Sequence, residues 1–321
     1  MTEKAGKEML FGGRVWKINA AGREFTYIRE GEIIRAEPIP TEEELDEVYS
    51  KYYNYKWFEE RKLLKKIQGW HRWKRVRRHL QQFVRGKKIL DIGCGHGFFL
   101  YAAKKDEWDA RGVDIPNPDF EKSWQKLGIT AYHPKSEELA HLEKQFDVVT
   151  MWHSLEHHRN PEEVISSAKK WLKPSGILII AVPNVNCVGL EKVGADWVWL
   201  QEPFVHIWHF SESYLRQLVE RHIGSVIRVT TQDTWDAQSL YDAGLRKYVE
   251  GNVGKWACKL AAAPTLVFGL EVARKVYAKF LFAFSEATRL ATYTLYLTFL
   301  KNRRSPNRES ELLIFVRNDR V

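Results

Sequence analysis

Three glycines at alternate positions, Gly93, Gly95 and Gly97, separate the apolar run Lys88-Ile89-Leu90-Asp91-Ile92 from the apolar run Phe98-Phe99-Leu100. Glycine at such positions lets the backbone turn sharply from strand to helix. It also lets a ligand approach the main chain where the helix N-terminus points. A dinucleotide fingerprint would need its third glycine at position 98, which holds Phe98. A second short apolar run, Ala110-Arg111-Gly112-Val113, closes on Asp114. That acid stands about 20 residues past the turn, where a βαβ unit presents a carboxylate to ribose hydroxyls. Four histidines, His153, His157, His206 and His209, supply the other chemistry. Imidazole ordinarily titrates near neutral pH, which suits a general base acting on a hydroxyl.

These elements resemble the class I S-adenosylmethionine-dependent methyltransferases, and the likeness continues along the chain. Phe146 to His153 resembles the family's fourth strand, and Ser154-Leu155-Glu156-His157-His158-Arg159-Asn160-Pro161 its "LEH…P" loop. Leu172 to Asn184 is similar to the turn and fifth strand, Ser225 to Thr230 to the sixth strand, and Glu311 to Arg317 to the last. His206-Ile207-Trp208-His209-Phe210-Ser211 resembles the "HxxHF(S/T)" stretch of the branch that includes ubiquinone-biosynthesis and sugar methyltransferases. The resemblance implies a doubly wound, mostly parallel seven-stranded α/β sheet with S-adenosyl-L-methionine as cofactor. Residue by residue it implies that Gly93, Cys94, Gly95 and Gly97 line the methionine moiety, with Asp91 beneath them. Asp114 and Ile115 then take the ribose and adenine side. Ser136 lies in Lys135-Ser136-Glu137-Glu138-Leu139, which resembles "D-A-E-E-L". Lys135 stands where an aspartate usually reads the adenine amino group, leaving backbone near Ser136 to do so. His153 follows the fourth strand and is a candidate for both cofactor and acceptor contact. His157, His206 and His209 are the acceptor-side candidates, and Glu156 would orient a histidine. No metal is expected.

These residues need a scaffold, and the 321-residue chain has enough apolar content (44%) for one large domain with additions. Residues 1–60 read as an accessory module: short β-like runs at Arg14–Ile18, Arg23–Ile28 and Glu32–Arg35, then a capping-box helix start at Thr41-Glu42-Glu43-Glu44. Pro38 to Tyr49 resembles the segment that follows an N-terminal zinc ribbon in some sugar methyltransferases. The ribbon's cysteines are absent, so a metal-free β-meander flanking the substrate side is expected. From Arg61 to Lys88, Trp70, Trp73, Val76, Leu80 and Phe83 recur at helical spacing among many Lys and Arg, predicting an amphipathic helix. Its basic face is either simply solvated or a phosphate contact.

The catalytic domain is expected over 61–232 plus 311–321, interrupted at 233–310 by about 80 residues where the family has a short hairpin. In this insertion Glu271, Arg274, Lys275 and Lys279 share one helical face, and Val276, Phe280 and Phe284 lie on the other. Residues 255–304 therefore read either as helices lying on an anionic membrane surface or as a packed helical hairpin.

Three cysteines without a CxxC pair, no signal-peptide pattern and no span-length apolar run predict a cytoplasmic protein, with peripheral attachment to the inner face of the membrane if the insertion meets lipid. The formal charge of +9 and 13 tryptophans fit either nucleic acid or an anionic surface. A nucleic-acid methyltransferase is the weaker reading, because His153-Ser154-Leu155-Glu156 replaces the "N/D-P-P-Y/F" motif. A non-catalytic binding protein on the same fold is a third, opposed by the intact glycine turn and Asp114. The leading expectation is O-methylation of a small polar, glycan or lipid-linked acceptor.

Overall fold

A computed structural model describes residues 9–10, 13–20, 23–52, 55–200, 202–232 and 309–319. The predicted membrane-facing helices of 255–304 lie outside the described residues. The chain opens with β1 (Met9–Leu10), β2 (Gly13–Ala20), β3 (Arg23–Glu30) and β4 (Ile33–Glu37), then α1 (Glu42–Tyr52) and the long α2 (Tyr55–Phe83). The expected capping box at the start of α1 forms: Thr41 Oγ1 accepts from the Glu44 amide, and Glu44 accepts from the Thr41 amide. The alternating half follows as β5 (Lys88–Ile92), α3 (Phe98–Lys105), β6 (Asp109–Val113), α4 (Pro118–Leu127), β7 (Thr130–Tyr132), α5 (Glu137–Ala140) and β8 (Phe146–Trp152). The last elements are α6 (Pro161–Trp171), β9 (Leu172–Pro183), α7 (Val188–Val193), β10 (Trp208–Phe210), α8 (Glu212–His222), β11 (Val226–Gln232) and β12 (Glu311–Arg317).

Seven strands form one sheet in the order β11-β12-β9-β8-β5-β6-β7, parallel from β9 to β7, with β12 running antiparallel to both neighbours. This is the expected doubly wound sheet, and β12 falls on the predicted residues. Both faces are covered, so the central strands are apolar throughout rather than alternating. All seven residues of β8 are buried. One face carries Leu90, Val149 and Met151 under Ile165 and Ala168 of α6 and Leu215 and Val219 of α8. The other carries Ile89, Val148 and Trp152 under Trp73, Val76 and Leu80 of α2 and Phe99 and Leu100 of α3.

The N-terminal meander is not a free-standing module. Its sheet is completed by β10, from far along the chain, in the order β1-β2-β3-β4-β10. His209 pairs with Ile34, and Phe210 with Ile33, while Phe210 also bridges to Asn184 at the end of β9. Trp16, Tyr27 and Ile34 then share a core with Trp197, Trp199 and Leu200. The second sheet is thus bolted to the carboxyl end of the first.

The fit of α2 against α3 depends on Gly69. A Cβ there would stand 2.7 Å from the carbonyl carbon of Phe98, closer than unbonded atoms pack. Gly69→Ala should therefore cost about 1–3 kcal/mol of stability, seen as a lower urea midpoint. An unchanged midpoint would mean that the α2–α3 crossing yields freely.

Candidate active site

The carboxyl ends of β5, β6, β8 and β9 open at one edge of the sheet, where an α/β sheet places its ligand crevice. Gly93, Gly95 and Gly97 all have positive φ (75°, 52° and 76°), a region that side chains rarely adopt. A Cβ on Gly93 would strike the Ser154 hydroxyl at 2.4 Å, whereas one on Gly95 meets nothing within 4 Å. Open space therefore lies over the middle of the turn. Asp114, just beyond β6, accepts from the Gly95 amide at 2.6 Å and the Ile115 amide at 2.8 Å. The acid sequence reading assigns to a ligand thus also ties the glycine turn to the second strand, keeping lone pairs in reserve. Ile115 beside it is 59% exposed, unusual for an isoleucine at a strand end. Cys94 is buried, and its sulfur fills the space that a Cβ on Gly112 would need. Ser136 caps α5 by accepting from the Leu139 amide. Together the open cradle, the ribose-type acid and the bare apolar neighbour fit S-adenosylmethionine.

Asp91 is 2% exposed and accepts from Thr150 Oγ1 at 2.6 Å. Burial pushes its pKa up to about 7, with the Asp114 charge adding, while the Thr150 hydrogen bond and Arg72 pull the other way. Arg72 is a residue that sequence reading missed. It projects from α2 with its guanidinium 5.3 Å from the Trp152 ring centre. It feels the charges of Glu311, Asp91 and Glu156 together.

The four histidines occupy one neighbourhood in unlike states. His153, at a positive φ of 49°, stacks on Trp199 with ring centres 5.0 Å apart and planes 5° off parallel. Its Nδ1 lies 3.2 Å from Glu156 Oε1 and its Nε2 lies 2.7 Å from Glu311 Oε2. Two carboxylates can only accept, so both ring nitrogens donate and the ring is an imidazolium. Burial opposes that charge, but the bonds from Glu156 and Glu311 outweigh it and raise the His153 pKa.

Glu311 is the hub of this arrangement. It also accepts from Arg75 of α2 and from Gln232 Nε2, the last residue of β11. Burial would raise its pKa, yet His153, Arg75 and Arg72 hold it down at about 2. A carboxylate depressed on folding stabilises the fold above its unfolded pKa, here about 4.5, and loses that contribution as pH falls toward 2. The urea midpoint of the wild type should therefore fall more steeply below pH 4.5 than that of Glu311→Gln, which has no proton to gain. Parallel curves would show that Glu311 is not ionised in the fold.

His157, His206 and His209 follow the opposite pattern. Burial lowers the pKa of each, to about 4 for His209 and well below the imidazole value for His206. His209 is fully buried, and its Nε2 lies 3.0 Å from the Trp199 carbonyl. Its ring packs edge-on to Tyr27 at 5.3 Å. His206 is 6% exposed, and its Nδ1 has no hydrogen-bond partner. The backbone carbonyl of His206 accepts from the Tyr27 hydroxyl at 2.7 Å, so the N-terminal sheet sets its position. The helix after these two histidines, α8, lies on the sheet beside α6. His157 meets His206 edge-on at 4.9 Å and lies 4.0 Å from Glu156 by Nε2. Its side chain is 17% exposed, more than those of His153 (11%) and His206 (8%). Glu156 is fully buried and one of its oxygens, Oε2, is unpartnered. Donor atoms of Glu156, His157 and His206 lie within 4.8 Å of one another, compact enough to enclose a small cation.

A family model described as a methyltransferase domain matches residues 60–222. The ubiquinone biosynthesis O-methyltransferase of Actinobacillus pleuropneumoniae serotype 7 is 32% identical over 126 residues, covering 35% of this chain and 53% of that protein. The protein of the same name from Haemophilus ducreyi is 33% identical over 125 residues, with the same coverage. The chain thus spans about half the length of the curated relatives it matches. Among solved structures, a SAM-dependent methyltransferase from Archaeoglobus fulgidus is similar at a TM-score of 0.46 and 19% identity, covering 82% of this chain and all of that one.

Proposed function

The chain belongs to the class I S-adenosylmethionine-dependent methyltransferases, and on that premise we propose that it methylates a hydroxyl oxygen of a small polar, glycan or lipid-linked acceptor, with His157 as general base. The observation that carries this reading is the partly exposed His157 imidazole 4.0 Å from the buried Glu156 carboxylate, its pKa lowered by burial. The printed names of the curated relatives support oxygen as the methylated atom.

S-adenosylmethionine supplies an electrophilic methyl group on a sulfonium. Asp114 would take the ribose hydroxyls, Ile115 the adenine face, and Gly93, Gly95 and Gly97 the room for the methionine moiety. Asp91 and Arg72 offer opposite charges to its zwitterionic tail. The transfer is an in-line displacement, so alignment and exclusion of water supply most of the rate. The wall of Trp199, His206 and Tyr27 is buried and supplies that exclusion. His157 accepts the acceptor's hydroxyl proton, and Glu156 stabilises the imidazolium that forms. His153, with both nitrogens engaged, fixes Glu156 and the loop rather than moving a proton. His206 orients the acceptor, and His209 supports His206 from behind.

The Asp91 pKa gives a test on cofactor binding alone. Near pH 7 the carboxyl is half protonated, and a ligand bearing sulfonium and ammonium charges favours the ionised form. Binding should release a fraction of a proton at pH 7, and affinity should rise as pH increases through 7. Calorimetry in Tris and in phosphate would then give different heats, whereas equal heats would place Asp91 outside the cofactor's field.

The acceptor class is tested by incubating the protein with methyl-labelled cofactor and fractionated cell extract. Base-stable label in glycan or lipid-extractable hydroxyl compounds supports the reading. Label confined to nucleic acid, or none with intact cofactor binding, replaces it with one of the two alternatives.

A further inference from the structure

The amino ends of β5 and β6 lie at the far edge of the sheet from the glycine turn, and there the end of α2 helps enclose a cavity of about 570 Å3. Half-buried Val84 and Trp108 form its apolar wall, with Trp73 and Leu80 behind them. Four cations and two acids also line it: Arg77, Arg85, Lys87 and Lys105, with Asp106 and Glu107. The acids are already engaged. Asp106 accepts from Trp73 Nε1 at 2.6 Å and from Arg77 at 2.9 Å, and Glu107 pairs with Lys87 at 3.4 Å. Arg85 and Lys105 are left without a carboxylate among the described residues, Lys105 lying 5.3 Å from the Tyr101 ring centre. Uncompensated charge of one sign beside apolar surface selects an amphiphilic ligand of the other sign.

The rim is also preformed. A Cβ on Gly86 would collide with the Asp147 carboxylate at 2.2 Å, so the chain passes close against it. Asp147 in turn accepts from the Lys88 amide at 2.9 Å and from Lys173 at 2.7 Å. The Lys87 carbonyl accepts from the Asp109 amide at 2.8 Å, tying the two strand starts together.

We propose that this cavity binds an amphiphilic phosphate, its phosphate group held between Arg85 and Lys105 and its apolar part laid on Val84 and Trp108. Such a site lies at the opposite end of the strands from the methyl-transfer crevice. It therefore acts as a tether or a second ligand site, not as an acceptor subsite. The same chemistry is offered by a lipid headgroup in a bilayer and by a soluble phosphate ester.

The test titrates the full chain, saturated with S-adenosylhomocysteine, with monomeric dihexanoylphosphatidylglycerol and follows tryptophan fluorescence. Saturable binding is expected, with inorganic phosphate and the zwitterionic dihexanoylphosphatidylcholine both much weaker. The double variant Arg85→Glu, Lys105→Glu should lose at least about tenfold in affinity, because each reversal removes an attractive charge and adds a repulsive one. Its melting temperature and S-adenosylhomocysteine affinity should be unchanged. Binding to phosphatidylglycerol vesicles that the double variant also loses assigns a bilayer source, and binding to the monomer alone assigns a soluble one. Absent saturation, equal binding of the zwitterionic lipid, release of the bound S-adenosylhomocysteine by the lipid, or a double variant that binds normally would overturn the proposal.

Discussion

His157→Ala is expected to lower methyl transfer by about 100- to 10,000-fold, the range for removal of a general base. Affinity for S-adenosylhomocysteine should hold, because the imidazole lies against Glu156 and His206. The pH profile gives a second readout. Burial lowers the His157 pKa from the usual 6.5, so wild-type turnover should stay level near pH 7 and fall on the acid side below 6.5. A working variant with an unaltered acid limb would move the base elsewhere, His206 being next. His153→Ala is expected to behave differently, reducing stability together with turnover, since it strands Glu156 and Glu311 as buried acids without their shared cation.

The second large effect is expected at Asp114. Replacement by alanine removes two charge-assisted hydrogen bonds to ribose, each worth about 1.5–3 kcal/mol, so affinity for S-adenosylmethionine should fall by roughly two to four orders of magnitude. The geometry adds a consequence that a purely ligand-facing acid would not have. Asp114 also holds the amides of Gly95 and Ile115, so the variant should loosen the turn even without ligand. Hydrogen exchange at those amides should quicken in Asp114→Ala, while Asp114→Asn preserves part of the bonding. Unchanged cofactor affinity in both variants would show the acid to be structural only.

Local signals were enough for the glycine turn and its distance to Asp114. Gly93, Gly95 and Gly97 encode a left-handed turn in their own residue types, and the following βαβ unit fixes the distance to Asp114. Uniformly apolar strands such as Ile177–Val182 announce a sheet covered on both faces. The start and stop of β12 were likewise legible, because Glu311 to Arg317 is a short apolar run bounded by polar residues.

The states of the histidines were decided by tertiary contacts. The sequence nominated four histidines, His153 on the cofactor and acceptor side and the other three on the acceptor side, but imidazole carries the same signature whatever its protonation state. Only the fold separates them. It sets His153 between two carboxylates 155 residues apart along the chain and stacks it on Trp199, making it a fixed cation. It buries His206 and His209 with the sheet of β1 to β4 and β10, and leaves the His157 side chain 17% exposed with its pKa lowered by burial. Arg72, Arg75 and Glu311 escaped sequence reading because a charge on an amphipathic helix, or at a strand's end, is ordinarily solvated. Protonation state depends on burial and on which charges arrive from distant segments. Strand, turn and glycine geometry depend on neighbours a few residues away, and that difference in range divides what this sequence determined alone from what required its folding.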